Sequence, residues 1–336
     1  MRSIGLLKNK RPFLLQALII VAFLHVEIMA AFGQKLPSSW PPAPNQAFDQ
    51  RSISGNSDST LTTSLVSVAV TITDRDGRPI AGLHQQDFRI YDDKVEQAIS
   101  FFSEEDTPAS VAIVFDTSKS MSGSTTERAG EALSRFIQTS HQQDEFFLIG
   151  FGSRPQLLLA KVRNGDAVLA EVTHLHPAGD TALYDAVEMG LDQLSQGAYP
   201  KHALILISDG EENKSRCSFG QLRRKLLESG AVVYTVRVGR LPLPKSFAGM
   251  VMDQLAKISG GNSLWPNKSA DMDDAFEQIA LDLRRQYSIG YLPSNFLGDG
   301  KLHKIGVALN SPSRESRDAV VRNRQGYYAW AKPAAR

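Results

Sequence analysis

Four short apolar runs constrain this chain more than any other feature. Residues 111–115, 146–151, 203–207 and 232–238 are almost wholly apolar. They are too short for core helices and lack polar alternation, as expected of strands covered on both faces. Between and after them the apolar spacing becomes helical, at about 127–139, 181–196, 219–229, 247–259 and 270–285. Strands alternating with helices predict an α/β fold, a doubly wound and mostly parallel sheet.

The flanks read differently. Val66, Val68, Val70 and Ile72 are apolar at every second position, the period of a strand with one buried face. Asp74-Arg75-Asp76-Gly77-Arg78-Pro79 is a turn cluster, and 87–93 and 98–102 suit further strands. Beyond the helices, 287–292, 303–309 and 319–323 are again strand-like, separated by turns at 298–300 and 311–313. Neither flank has enough strands to close a core alone. The expectation is therefore a small split β-sandwich, its N-terminal segment 63–107 pairing with its C-terminal segment 286–330. The α/β domain, 108–285, is inserted between the two.

Residues 1–33 run basic (Arg2, Lys8, Lys10, Arg11), then apolar from Phe13 to Leu24, then small at Ala31-Phe32-Gly33. That order is the pattern of a secretory signal peptide, with an uncleaved anchor as the alternative. It predicts export to the periplasm or the extracellular space, with no membrane span left after cleavage. Residues 34–62 are rich in Pro, Ser, Asn and Thr and read as a disordered linker. The formal net charge is +1, and the first 33 residues carry +3 of it, leaving −2 for the remainder. Such a near-neutral surface offers no footprint for nucleic acid. A single cysteine, Cys217, excludes a disulfide framework and a cysteine zinc site.

In open parallel sheets, ligands bind outside the carboxyl ends of the strands. The first buried run ends in Asp116-Thr117-Ser118-Lys119-Ser120, which places a carboxylate and two hydroxyls on one loop. Gly179-Asp180-Thr181 opens a helical stretch with a further hydroxyl, and the 203–207 run leads into Ser208-Asp209-Gly210. For Ser118, Ser120 and Thr181 the structural alternative is helix capping. For Asp116 and Asp209 it is an ordinary loop carboxylate.

Together, Asp116-x-Ser118-x-Ser120, Thr181 and Asp209 resemble the metal-ion-dependent adhesion site of von Willebrand factor type A domains, in the family's order. Val70 to Gly77, Asp87-Phe88, Tyr287 to Tyr291 and Gly326-Tyr327-Tyr328 extend the likeness. Over about 65–330 the chain resembles secreted bacterial proteins with a related A-type domain between β segments. The resemblance implies a domain that holds Mg²⁺ or Mn²⁺ and binds a protein ligand through that ligand's acidic side chain. Hydroxyl ligands would bind directly and the two carboxylates largely through water, leaving the ion able to accept a partner's Asp or Glu. Lys119, Glu211 and Glu212 are candidates for the partner-binding rim.

His174 and His176 stand two apart with no third ligand beside them. No nucleophile elbow, zinc-protease helix or phosphate loop occurs. The expectation is a binding protein and not an enzyme. The alternatives are an envelope scaffold with an incidental metal, or a metal-dependent hydrolase.

Overall fold

The alternation at 66–72 forms strand β1 (Val66–Thr73), with Val66, Val68, Val70 and Ile72 all buried. Strands β2 (Phe88–Asp92), β3 (Val95–Gln97) and β4 (Ile99–Ser103) follow. The computed structural model describes residues 65–122, 124–238, 247–266, 269–294, 298–310 and 318–329. The expected signal peptide and linker, and the 311–313 turn, lie outside the described residues.

The apolar runs become strands β5 (Ala109–Asp116), β6 (Glu145–Phe151), β8 (Lys201–Ser208) and β9 (Val232–Arg237). Every residue of β5, β6 and β9 is buried. Two further strands, β7 (Pro155–Val162) and β10 (Ser263–Leu264), lie at the edges. The six-stranded order is β10-β9-β8-β5-β6-β7, parallel except where β7 turns back antiparallel on β6.

Among the described residues, six helices cover the two faces: α1 (Ser124–Thr139), α2 (Gly165–Val172), α3 (Leu183–Leu194), α4 (Phe219–Ser229), α5 (Phe247–Ser259) and α6 (Ser269–Arg284). Alternate residues of β5 serve opposite cores, because successive side chains of a strand point to opposite faces. Val111, Ile113 and Phe115 pack with Leu133 and Phe136 of α1 and Phe276 and Ile279 of α6. Ala112 and Val114 pack with Val187 and Leu191 of α3, Leu226 of α4 and Leu255 of α5. This is a doubly wound sheet, burying apolar area at about 25 cal/mol per Å² on both sides.

After α6 come β11 (Tyr287–Tyr291), β12 (Leu302–Leu309), β13 (Val320–Asn323) and β14 (Gly326–Tyr328). They interleave with the first four strands in two four-stranded sheets, β13-β1-β11-β4 and β14-β12-β2-β3. Each sheet thus takes two strands from before the α/β region and two from after it. Val68, Val70 and Ile72 of β1, Ile90 of β2, and Tyr287, Ile289 and Tyr291 of β11 share one core with Ile305 and Tyr327. Among the described residues, no helix is long and apolar enough to cross a membrane.

Candidate metal centre

β5 leaves the sheet at Asp116, whose side chain is completely buried. Its carboxylate is held from two sides. The Ser118 backbone N–H donates to Oδ1 at 2.7 Å, and the Ser208 hydroxyl donates to Oδ2 at 2.6 Å. Ser208 closes β8, whose parallel register on β5 pairs Phe115 with Ile207. The acid and the hydroxyl are therefore delivered side by side by neighbouring strands. Burial pushes the Asp116 carboxyl up to about 6, against the hydrogen bonds from Ser118 and Ser208, and the nearby Asp209 charge adds to the rise. A buried carboxylate with no counterion beside it is unfavourable, and a cation there would reverse the sign.

The Ser118 and Ser120 hydroxyls stand 3.0 Å apart. Neither Ser118 nor Thr181 is used as a cap. Ser118 precedes the single 3-10 turn Lys119–Met121 without a side-chain capping bond, and the cap position of α3 falls on Ala182. Ser118 thus makes no side-chain capping bond, and Thr181 stands one residue before the cap position of α3.

Backbone hydrogen bonds stitch the three loops into one edge. Lys119 N–H donates to the Gly179 carbonyl at 3.1 Å, and Ala178 N–H to the Thr117 carbonyl at 2.7 Å. Thr181, almost fully buried, receives Asn213 and Lys214 N–H on its carbonyl and donates its own N–H to Asn213 Oδ1 at 3.0 Å. Asp209 is half-buried and accepts the Glu211 N–H at 3.1 Å.

Of the three rim candidates, Lys119 and Glu211 are exposed. Glu212 turns inward. Its carboxylate accepts hydrogen bonds from the N–H groups of Tyr184, Lys214 and Ser215 and from the Ser215 hydroxyl, at 2.7–3.1 Å. It braces the 211–215 loop and caps the first turn of α3, where a negative charge is favoured. Asp185 braces the same loop from the Arg216 and Cys217 N–H groups. His174 and His176 are exposed, and His174 Nδ1 lies 2.8 Å from the Ala170 carbonyl. Burial raises the Cys217 thiol, and the nearby Glu188 and Asp185 charges add to the rise.

The donor set suits a hard cation. Adjacent oxygens of an octahedral Mg²⁺ with bonds of about 2.1 Å stand about 3 Å apart, and the serine pair already has that spacing. Two participants were not foreseen from sequence. Ser208 is next to Asp209 but gains its role only through the β5–β8 register. Arg237 ends β9, stacks over Trp265 at 4.5 Å and interacts electrostatically with Asp209. A separate group, Asp92, Asp93 and His303, gathers ligand atoms within 4.8 Å of one another on β2, its following turn and β12.

Residues 111–212 match the family model of the von Willebrand factor type A domain. An uncharacterized protein of Synechocystis sp. is 23% identical over 228 residues, covering 64% of this chain and 51% of its own length. Inter-alpha-trypsin inhibitor heavy chain H1 of Mesocricetus auratus is 28% identical over 183 residues, half of this chain and 19% of that protein. The chain thus spans about half of one curated relative and about a fifth of the other. Among solved structures, a von Willebrand factor type A protein from Catenulispora acidiphila aligns at 13% identity and a TM-score of 0.46, covering 80% of this chain and 75% of that one. With the family match lying on a doubly wound sheet whose hydroxyl-rich loop follows its first buried strand, the chain carries a von Willebrand factor type A domain.

Proposed function

We propose that this domain binds a protein partner through a divalent cation, Mg²⁺ or Mn²⁺, held by Asp116, Ser118, Ser120, Thr181 and Asp209. One observation carries the reading. Asp116 is a fully buried carboxylate pinned by Ser118 and Ser208, and beside it two serine oxygens have the spacing of cation ligands. The hydroxyls would ligate directly and the carboxylates largely through water. The ion then stays short of negative charge and takes an Asp or Glu of the partner as its remaining ligand. Lys119 and Glu211, both exposed, form the rim that meets this partner. Glu212 is omitted from it, because its carboxylate is occupied within the loop.

The role is adhesion and not catalysis. The basic, apolar and small-residue order of residues 1–33 supports action outside the cytoplasm, in the periplasm or beyond it. Calorimetric titration of Mg²⁺ and Mn²⁺, with and without a short acidic peptide, tests the reading. Saturable binding that the peptide strengthens and that a folded Asp116→Ala variant loses is expected. Absence of binding even with peptide would replace this reading with that of a structural scaffold.

A further inference from the structure

We propose a second cation site, taking Zn²⁺ or a similar transition-metal ion, formed by Asp92 Oδ1, Asp93 Oδ2 and His303 Nδ1 in the β-sandwich. The Asp93 and His303 atoms are 3.0 Å apart, and the Asp92 and His303 atoms 3.7 Å apart. Ligands of a tetrahedral ion with bonds of 2.0–2.2 Å stand about 3.4 Å apart, between these two values.

Each of the three side chains spends its other polar atom on a fixed partner. Asp92 Oδ2 accepts the hydroxyls of Tyr291 at 3.0 Å and Tyr327 at 2.8 Å. Asp93 Oδ1 accepts the Lys304 N–H at 2.9 Å, while the Asp93 N–H returns to the Lys304 carbonyl. His303 Nε2 lies 3.4 Å from Asp299 Oδ1, and Asp299 is itself held by the Lys301 N–H. This arrangement, a ligating atom on one side and an orienting hydrogen bond on the other, is the one that metal ligands require of their surroundings. With the ring proton on Nε2 toward Asp299, His303 Nδ1 turns a lone pair toward two carboxylate oxygens.

An independent observation points the same way. Asp92 is 7% exposed, and its Oδ1 is buried with no hydrogen-bond partner. A buried carboxylate oxygen left unpaired is unfavourable, and this one is aimed at the His303 nitrogen. Asp93 is half exposed, which leaves a path for ion entry and a place for a water ligand. One imidazole stands among three carboxylates, and the nearby cations act one shell out: the exposed Lys301 ammonium lies 3.6 Å from Asp299, and the Arg324 guanidinium interacts with Tyr291 and Tyr327, the partners of Asp92 Oδ2. A nitrogen ligand favours a zinc-like ion over Mg²⁺ or Ca²⁺, which take oxygen.

The ligands come from opposite flanks of the inserted domain. Asp92 and Asp93 lie at the β2–β3 hairpin and His303 on β12, the strand that pairs with β2. A bound ion would staple the two halves of the sandwich.

The test uses the full chain, stripped with a chelator and titrated with Zn²⁺ and separately with Co²⁺. Wild type and Asp116→Ala should each bind an ion with a tetrahedral Co²⁺ spectrum and show a raised thermal midpoint. Asp93→Asn and His303→Gln should lose both, and Asp299→Asn should weaken affinity by about 10–100-fold. Because Asp93 lies in an exposed turn, its variant separates loss of the ion from loss of the fold. The Asp116→Ala control separates this site from the one proposed above. Wild-type protein that takes up no Zn²⁺, or folded Asp93→Asn and His303→Gln variants that bind as wild type does, would overturn the proposal.

Discussion

Asp116 is a buried carboxyl group whose charged form the fold disfavours, as it does for Asp144 and Asp282. Burial raises it to about 6 from an ordinary value of 3.8, so the folded protein holds this proton more tightly than the unfolded chain. The corresponding stability is fully present below about pH 3.8 and is lost as the pH rises through about 6. In metal-free protein, wild type should lose as much as about 3 kcal/mol across that window relative to Asp116→Asn, measured by urea denaturation. A difference between the two proteins that stays constant with pH would refute the assignment. The Asp-x-Ser-x-Ser string was legible because its members are sequence neighbours. Ser208 was not, since only strand pairing sets its hydroxyl against Asp116.

At the scale of elements, the loop edge that carries the proposed cation site depends on how closely β6 and the loop before α3 approach. Gly152 follows β6 and accepts the Ala182 N–H on its carbonyl at 2.8 Å. A Cβ there would stand 2.5 Å from the Ala178 carbonyl oxygen, a backbone atom with little freedom to yield. Gly152→Ala should therefore destabilise the protein by about 1–3 kcal/mol and weaken Mg²⁺ binding by moving the loop that carries Thr181. Thermal denaturation and calorimetry check the two effects, and a variant that binds Mg²⁺ normally would show that the loop is not needed. The central strands were readable because burial on both faces leaves an unbroken apolar run. Strand β7 was not, since its residues are only partly buried and keep neither period. Strands β3 and β14, three residues each, are too short to show any period.

Across the whole molecule, the A-type domain and the sandwich are joined by a buried ion pair. Arg322 of β13 donates through Nη2 to Asp282 Oδ2 of α6 at 2.5 Å, with both side chains largely buried. Removing one partner strands the other charge, so Arg322→Leu should destabilise the chain by about 3–5 kcal/mol. The double variant Asp282→Leu/Arg322→Leu should recover much of that loss, because a buried pair contributes little beyond its apolar replacement. Chemical denaturation of wild type, Arg322→Leu, Asp282→Leu and the double variant measures the coupling. Additive losses would mean that the two residues act separately.

By itself the sequence determined the alternation of buried strands and helices, the strand-like flanks, and the local string that puts a carboxylate and two hydroxyls after the first buried strand. These are encoded within about ten residues, in periodicity and in loop composition. The tertiary structure alone decided that each sandwich sheet would take two strands from either flank, that Glu212 would brace α3, and that Asp92 would face His303. Such relations join residues far apart in the chain. They depend on strand register, which is set by the burial of whole faces and which no local pattern contains.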